Sequence, residues 1–134
     1  MEKIDSVTQF EKVLEQNERV ILLKHSNTCP VSQGAFEEYE KFFKEHSNLT
    51  GYYLVVQEAR PLSNHIAETF HIKHESPQAI IFLNHQVVWH ESHWNITFES
   101  LLEAIKKSIT IFYHLRAFSV NASNLSTNFF KVNI

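Results

Sequence analysis

The feature that most constrains the fold is a short apolar run that ends at a polar loop and a Cys-Pro pair. Residues 20–23 read Val-Ile-Leu-Leu without interruption. So short a run suits a strand covered on both faces, and it predicts a buried strand over 19–25. The residues just before Cys29 are polar and few, which makes them a loop. Pro30 fits the first turn of a helix, where its missing N–H costs nothing. Phe36, Tyr39, Phe42 and Phe43 then recur at helical spacing, predicting a helix from about Pro30 to about His46. Cys29 therefore stands where a strand has ended and a helix begins.

The rest of the chain alternates in the same manner. Val7, Phe10, Val13 and Leu14 share one face of a helix over 6–17, with Asp5 or Ser6 as its cap. Tyr52–Val56 is a strand, and Pro61 opens a helix carrying Leu62, Ile66 and Phe70. Ile80–Leu83 and Gln86–His90 are close enough to form an antiparallel hairpin at Asn84-His85. Thr97 caps a last helix with Phe98, Leu101, Leu102 and Ile105 on one face. The order αβαβαββα implies an α/β protein with a mixed sheet.

Composition narrows the function classes. The chain has 134 residues, enough for one domain, and its 11 Phe, 2 Trp and 4 Tyr can build a core. Twelve basic and 15 acidic residues give a net charge of −3 with no basic block, so nucleic acid is not an expected partner. No apolar run reaches the roughly 20 residues that span a bilayer, so no membrane partner is expected. Met-Glu-Lys-Ile-Asp lacks a signal-peptide pattern, and the expected compartment is the cytoplasm. A single cysteine rules out an internal disulfide and fits a reducing compartment.

Most free cysteines are buried and inert, so Cys29 needs a local reason to count as chemistry. The first N–H groups of a helix lack internal partners, and the helix dipole favours negative charge beside them. Both effects favour the thiolate, which is the nucleophile. Three residues on stands Ser32, where two-cysteine oxidoreductases carry their second thiol. With Cys29-Pro30-Val31-Ser32, attack on a disulfide must end in a mixed disulfide that an outside thiol releases. Ser32 is either a donor to the thiolate or simply a polar first-turn residue. Ser76-Pro77 precedes a strand, where proline is tolerated. An X–Pro bond there is trans by default, cis being only about 5–6% of such bonds in folded proteins.

Strand, loop, Cys-Pro-x-Ser, helix, then Ser76-Pro77 before a hairpin and a final helix resembles the thioredoxin superfamily. Three motifs go further: Asn27-Thr28-Cys29-Pro30-Val31-Ser32, His74-Glu75-Ser76-Pro77-Gln78 and Trp89-His90-Glu91-Ser92-His93-Trp94-Asn95-Ile96-Thr97. They resemble the YtxJ family, the monothiol bacilliredoxins of low-GC Gram-positive bacteria, over about residues 3–106. Two departures stand out: Val31 in place of an expected isoleucine, and a longer tail. The resemblance implies a thioredoxin-like domain over 1–106, with a mixed central sheet flanked by helices, and a C-terminal extension over 107–134. That tail, with Phe112, Phe118, Phe129, Phe130, Asn121, Asn124, Asn128 and Asn133, either extends the last helix, packs back on the domain, or is an appendage.

The resemblance also implies a reaction. Cys29 attacks an S-bacillithiolated client protein, takes the bacillithiol and frees the client thiol. Bacillithiol is then a co-substrate, and no tightly bound cofactor is expected. Thr28, Pro30 and Ser32 shape the thiolate pocket, and Ser76 and Pro77 supply a cis peptide beside it. Bacillithiol carries malate carboxylates, so Lys24, His25, Arg60, Lys73 and His74 are candidates for a rim that binds it, with His93 and Trp94 on a bordering loop. Each has a plainer role as solvated surface or, for Trp94, as core. His71 with His74, or His90 with His93, lacks the three or four ligands a zinc site needs, and no metal is expected. Two alternatives remain. One is a monothiol glutaredoxin-like protein using glutathione or an iron–sulfur cluster, although Pro30-Val31 stands where cluster carriers have Gly-Phe. The other is a non-enzymatic redox sensor or adaptor.

Overall fold

The computed structural model describes the backbone of residues 1–123 and side chains through residue 117. The elements are β1 (Glu2–Lys3), α1 (Val7–Gln16), β2 (Arg19–His25), α2 (Pro30–Glu45), β3 (Gly51–Val55), α3 (Arg60–Phe70), β4 (Gln78–Leu83), β5 (Gln86–Ser92), a 3₁₀ turn (His93–Asn95) and α4 (Phe98–Ser123). They form one sheet in the order β1-β3-β2-β4-β5. β1, β3 and β2 run parallel, while β4 is antiparallel to β2 and β5 to β4.

β1 corrects the expected order. Two residues are too few for a period-two pattern, so no sequence signal marks them. Pairing to β3 and the Ile4 N–H, which donates to the Tyr53 carbonyl at 2.9 Å, hold the strand in place. β4 and β5 are also longer than expected. Gln78 and Ala79 pair with Lys24 and Leu23 although Gln78 is polar, and β5 follows them to Ser92.

The apolar run in β2 is explained by two cores. Leu22 joins Phe10, Leu14, Leu54, Leu62, Ile66, Ile80 and Phe82 on the α1/α3 side. Ile21 and Leu23 join Tyr39, Phe42, Ile81, Leu101 and Ile105 on the α2/α4 side. Successive strand side chains point to opposite faces, so a strand between two helical layers is apolar at every step.

Local chemistry sets the helix ends. Ser6 caps α1 in a reciprocal box with Gln9. Thr97 caps α4: its hydroxyl accepts from Ser100 N–H at 3.1 Å, and Ser100 Oγ accepts from Thr97 N–H at 2.9 Å. At Gly51 a Cβ would run into the Phe43 ring, so only glycine lets α2 approach the start of β3 this closely.

Tyr39 ties α2 to the sheet. It is fully buried, and its hydroxyl lies 2.7 Å from the Tyr52 carbonyl and 3.0 Å from the Ile21 carbonyl. Burial pushes the phenol well above its usual pKa, so it remains a neutral donor. Tyr39→Phe keeps the ring and removes only that donor. Urea denaturation should show a loss of about 1–3 kcal/mol, the cost of buried carbonyls left short of a partner. A change below about 0.5 kcal/mol would mean that the bond contributes little.

α4 runs without a break through residues 106 and 107. Beyond that point Ser108 is buried, its hydroxyl donating to the Ile105 carbonyl at 2.7 Å. Arg116 lies over the Phe112 ring and pairs with Glu18 at the start of β2. The first part of the tail thus extends the last helix and returns to the body. The side chains of Phe118 and Asn121, and all of Asn124, Asn128, Phe129, Phe130 and Asn133, lie outside the described residues.

Candidate active site

Cys29 is the N-cap of α2. Its backbone is extended (φ −109°, ψ 121°), Pro30 occupies the first turn, and Gln33 N–H donates to the Cys29 carbonyl at 3.0 Å. The thiol is half-buried and free. No side chain caps this helix end, and among the described residues no hydrogen bond reaches Cys29 Sγ. The sulfur therefore sits at a positive helix end with no competing acceptor side chain.

The loop before it is held by a residue that the sequence did not single out. Gln57, just past β3, donates from Nε2 to Ser26 Oγ at 2.7 Å and to Thr28 Oγ1 at 3.2 Å. Its Oε1 accepts from Asn27 N–H at 3.3 Å. One exposed amide thus fixes three residues of the loop, and Thr28 serves there as a loop anchor. A polar residue just past a strand that ends beside the loop was the only available signal, and it is a weak one.

Ser32 is fully buried. Its Oγ accepts from Ser26 N–H at 2.8 Å and lies 2.9 Å from His25 Nδ1. Neither contact is to the Cys29 sulfur; both tie Ser32 to the loop and to His25. His25 packs on Phe36 at 4.7 Å between ring centres. Burial lowers its pKa below the ordinary imidazole value, against a smaller opposing effect from Ser32, which favours the neutral ring.

The Ser76–Pro77 peptide is cis. β2 pairs with β4 at Lys24–Gln78, so this peptide and Cys29 lie at the same end of the sheet. The Pro77 carbonyl accepts from His93 N–H at 3.1 Å, which joins the 3₁₀ turn to the proline loop. Gln78 braces the loop from below, donating to the Lys73 carbonyl at 3.1 Å. Ser76 N–H and C=O take no backbone partner among the described residues, and Ser76 Oγ is buried without one.

Two of the expected rim residues are interior. Lys24 is 1% exposed and His25 7%. The Lys24 side chain crosses the α3 side of the sheet, and its ammonium donates to the Ser63 carbonyl at 3.0 Å and meets His74 Nδ1 at 3.3 Å. A lysine can bury its long stem while its head finds a partner, which sequence alone does not reveal. Arg60, Lys73, His74, His93 and Trp94 are exposed. Arg60 and Lys24 both bear on His74: burial, then these two cations, push its pKa down against a smaller upward pull from Glu75. Trp94 is 77% exposed, and it lines a cleft with Trp89, Glu103 and Lys107 rather than the core. His74 Nδ1 faces an ammonium, a poor setting for a cation, and among the described residues no three His, Cys, Asp or Glu side chains gather as a metal site.

The family model of monothiol bacilliredoxin BrxC matches residues 2–101. The chain belongs to the monothiol bacilliredoxin family. A solved protein described as an oxidoreductase with a thioredoxin fold is 47% identical, with a TM-score of 0.73 over 76% of this chain and 90% of that one. Thioredoxins of Plasmodium falciparum (19% identity, TM-score 0.64, 80% and 98% covered) and Fasciola hepatica (15%, 0.66, 80% and 98%) share the fold. This bacilliredoxin is thus a thioredoxin-fold protein of the thiol–disulfide oxidoreductase class. Among the described residues, no helix is long and apolar enough to cross a membrane.

Proposed function

We propose that this bacilliredoxin removes bacillithiol from S-bacillithiolated client proteins in the cytoplasm, with Cys29 as the attacking group. The observation that carries this is the placement of the chain's single cysteine at an uncapped helix start, on the same sheet end as the cis Ser76–Pro77 peptide. The Cys29 thiolate attacks the bacillithiol sulfur of the client's mixed disulfide. A Cys29–bacillithiol S–S bond forms, the client S–S bond breaks, and the client thiolate leaves and takes a proton from water. A second thiolate, from bacillithiol or a redox partner, then attacks the bacillithiol sulfur of the adduct: a new disulfide to that bacillithiol forms, the Cys29 S–S bond breaks, and the Cys29 thiolate leaves.

The surrounding residues support this chemistry. Cys29 caps the N-terminal end of α2, where the helix dipole favours negative charge. The Ser76 backbone is open to an extended substrate, while the Pro77 carbonyl is already used by His93. Arg60 and Lys73 supply the cationic rim for the malate carboxylates, with His74 beside them as a neutral imidazole and Lys24 behind it. Incubating the reduced protein with one client, bacillithiolated or glutathionylated, tests the substrate. Mass spectrometry should show the bacillithiolated form freed at least about tenfold faster. Equal rates would leave the cysteine chemistry intact and remove the bacillithiol preference.

A further inference from the structure

A cleft lies at the other end of the sheet from Cys29. It has a volume of about 430 Å³ and opens between the body and the C-terminal part of α4. It falls within the roughly 300–1,000 Å³ of small-molecule sites. Leu49, Ile109 and Phe112 give it apolar lining, and Arg19 lines it too. Arg19 begins β2 and Cys29 follows its end, so the two lie about 20 Å apart along the strand direction.

Arg19 is the unusual member. It is half-buried, and among the described residues no carboxylate lies within ion-pairing distance of it. Burial alone lowers its pKa from the usual value, with no neighbouring acid to oppose it. The nearest acid in sequence, Glu18, also lines the cleft but is neutralised by Arg116. A partly desolvated guanidinium without a counter-ion is a binding group for a planar anion. Ile109 and Phe112 lie beyond the 2–101 stretch that matches the family, so the extension of α4 is what completes the cleft.

We propose that this cleft binds a small amphipathic carboxylate, its carboxylate on Arg19 and its apolar body against Ile109, Phe112 and Leu49. The site is independent of Cys29 and of the reaction proposed for it. Octanoate is the probe, with octanol, octylamine and acetate as controls, titrated into the full chain and followed by backbone amide shifts. Octanoate should saturate shifts at Arg19, Thr50 and Ser108. Octanol, octylamine and acetate should each bind at least about tenfold more weakly, as expected when a charge-assisted pair or its apolar partner is lost. Arg19→Gln should weaken octanoate by a similar factor, and Arg19→Lys should recover part of it. Octanol or octylamine binding as well as octanoate would overturn the site without any variant. So would undiminished binding to Arg19→Gln, shifts centred elsewhere, or octanoate-independent dimerisation through the same amides.

Discussion

Cys29→Ser is expected to leave a folded protein, as stable as the parent or more so, that no longer frees client thiols. The activity should fall by at least about 1,000-fold, because a hydroxyl does not replace a thiolate in disulfide exchange. Stability should not fall with it. Cys29 is an N-cap whose side chain makes no capping bond, whereas serine is a preferred cap that accepts from the first-turn N–H groups. The gain should be between zero and about 1 kcal/mol by urea denaturation. Activity and stability then move in different directions, which a structural cysteine would not produce. Retained activity in Cys29→Ser would place the chemistry elsewhere, and a large loss of stability would make Cys29 a packing residue.

Lys24→Met is expected to stabilise the protein by about 1–3 kcal/mol at pH 7. Burial pushes the Lys24 ammonium from its usual value near 10.5 down to about 8. That shift corresponds to a cost of about 3 kcal/mol for holding the charge inside. It is what remains with the bonds to the Ser63 carbonyl and His74 in place. Between pH 8 and 10.5 the unfolded chain holds the Lys24 proton and the folded chain does not. Stability therefore rises with pH across that window, and below pH 8 the cost is fully present. The parent should gain on Lys24→Met as pH climbs from 8 towards 10.5. Tyr39 and Tyr52, whose pKa values are raised by burial, pull the other way at high pH in both proteins, so the difference between the two isolates Lys24. Urea melts at several pH values measure it. A variant less stable than the parent at pH 7 would mean that the ammonium's two bonds outweigh its burial.

The same lysine shows where sequence reasoning stops. Spacing marked Val20–Leu23 as a covered strand and Pro30 as a helix start, because periodicity and proline chemistry act within a few residues. Cys29 followed from those two signals. Lys24 and His25, read as rim groups, are interior because tertiary packing decides where a long or amphipathic side chain ends. Ser32 faces His25, and Gln57 holds Ser26, Asn27 and Thr28, through contacts 7 to 31 residues apart that no local pattern encodes. The cis Ser76–Pro77 peptide followed from resemblance to a family and not from the residues themselves. β1 was illegible for a simpler reason: two residues carry no period.

The central claim is that bacillithiol passes to Cys29 itself. The most direct measurement is a single turnover of reduced protein with one equivalent of a bacillithiolated client, quenched by alkylation and read as intact masses. The account predicts free client and a single bacillithiol adduct that peptide mapping places on Cys29. A Cys29–client disulfide with bacillithiol released, or a client that keeps its bacillithiol, would contradict it.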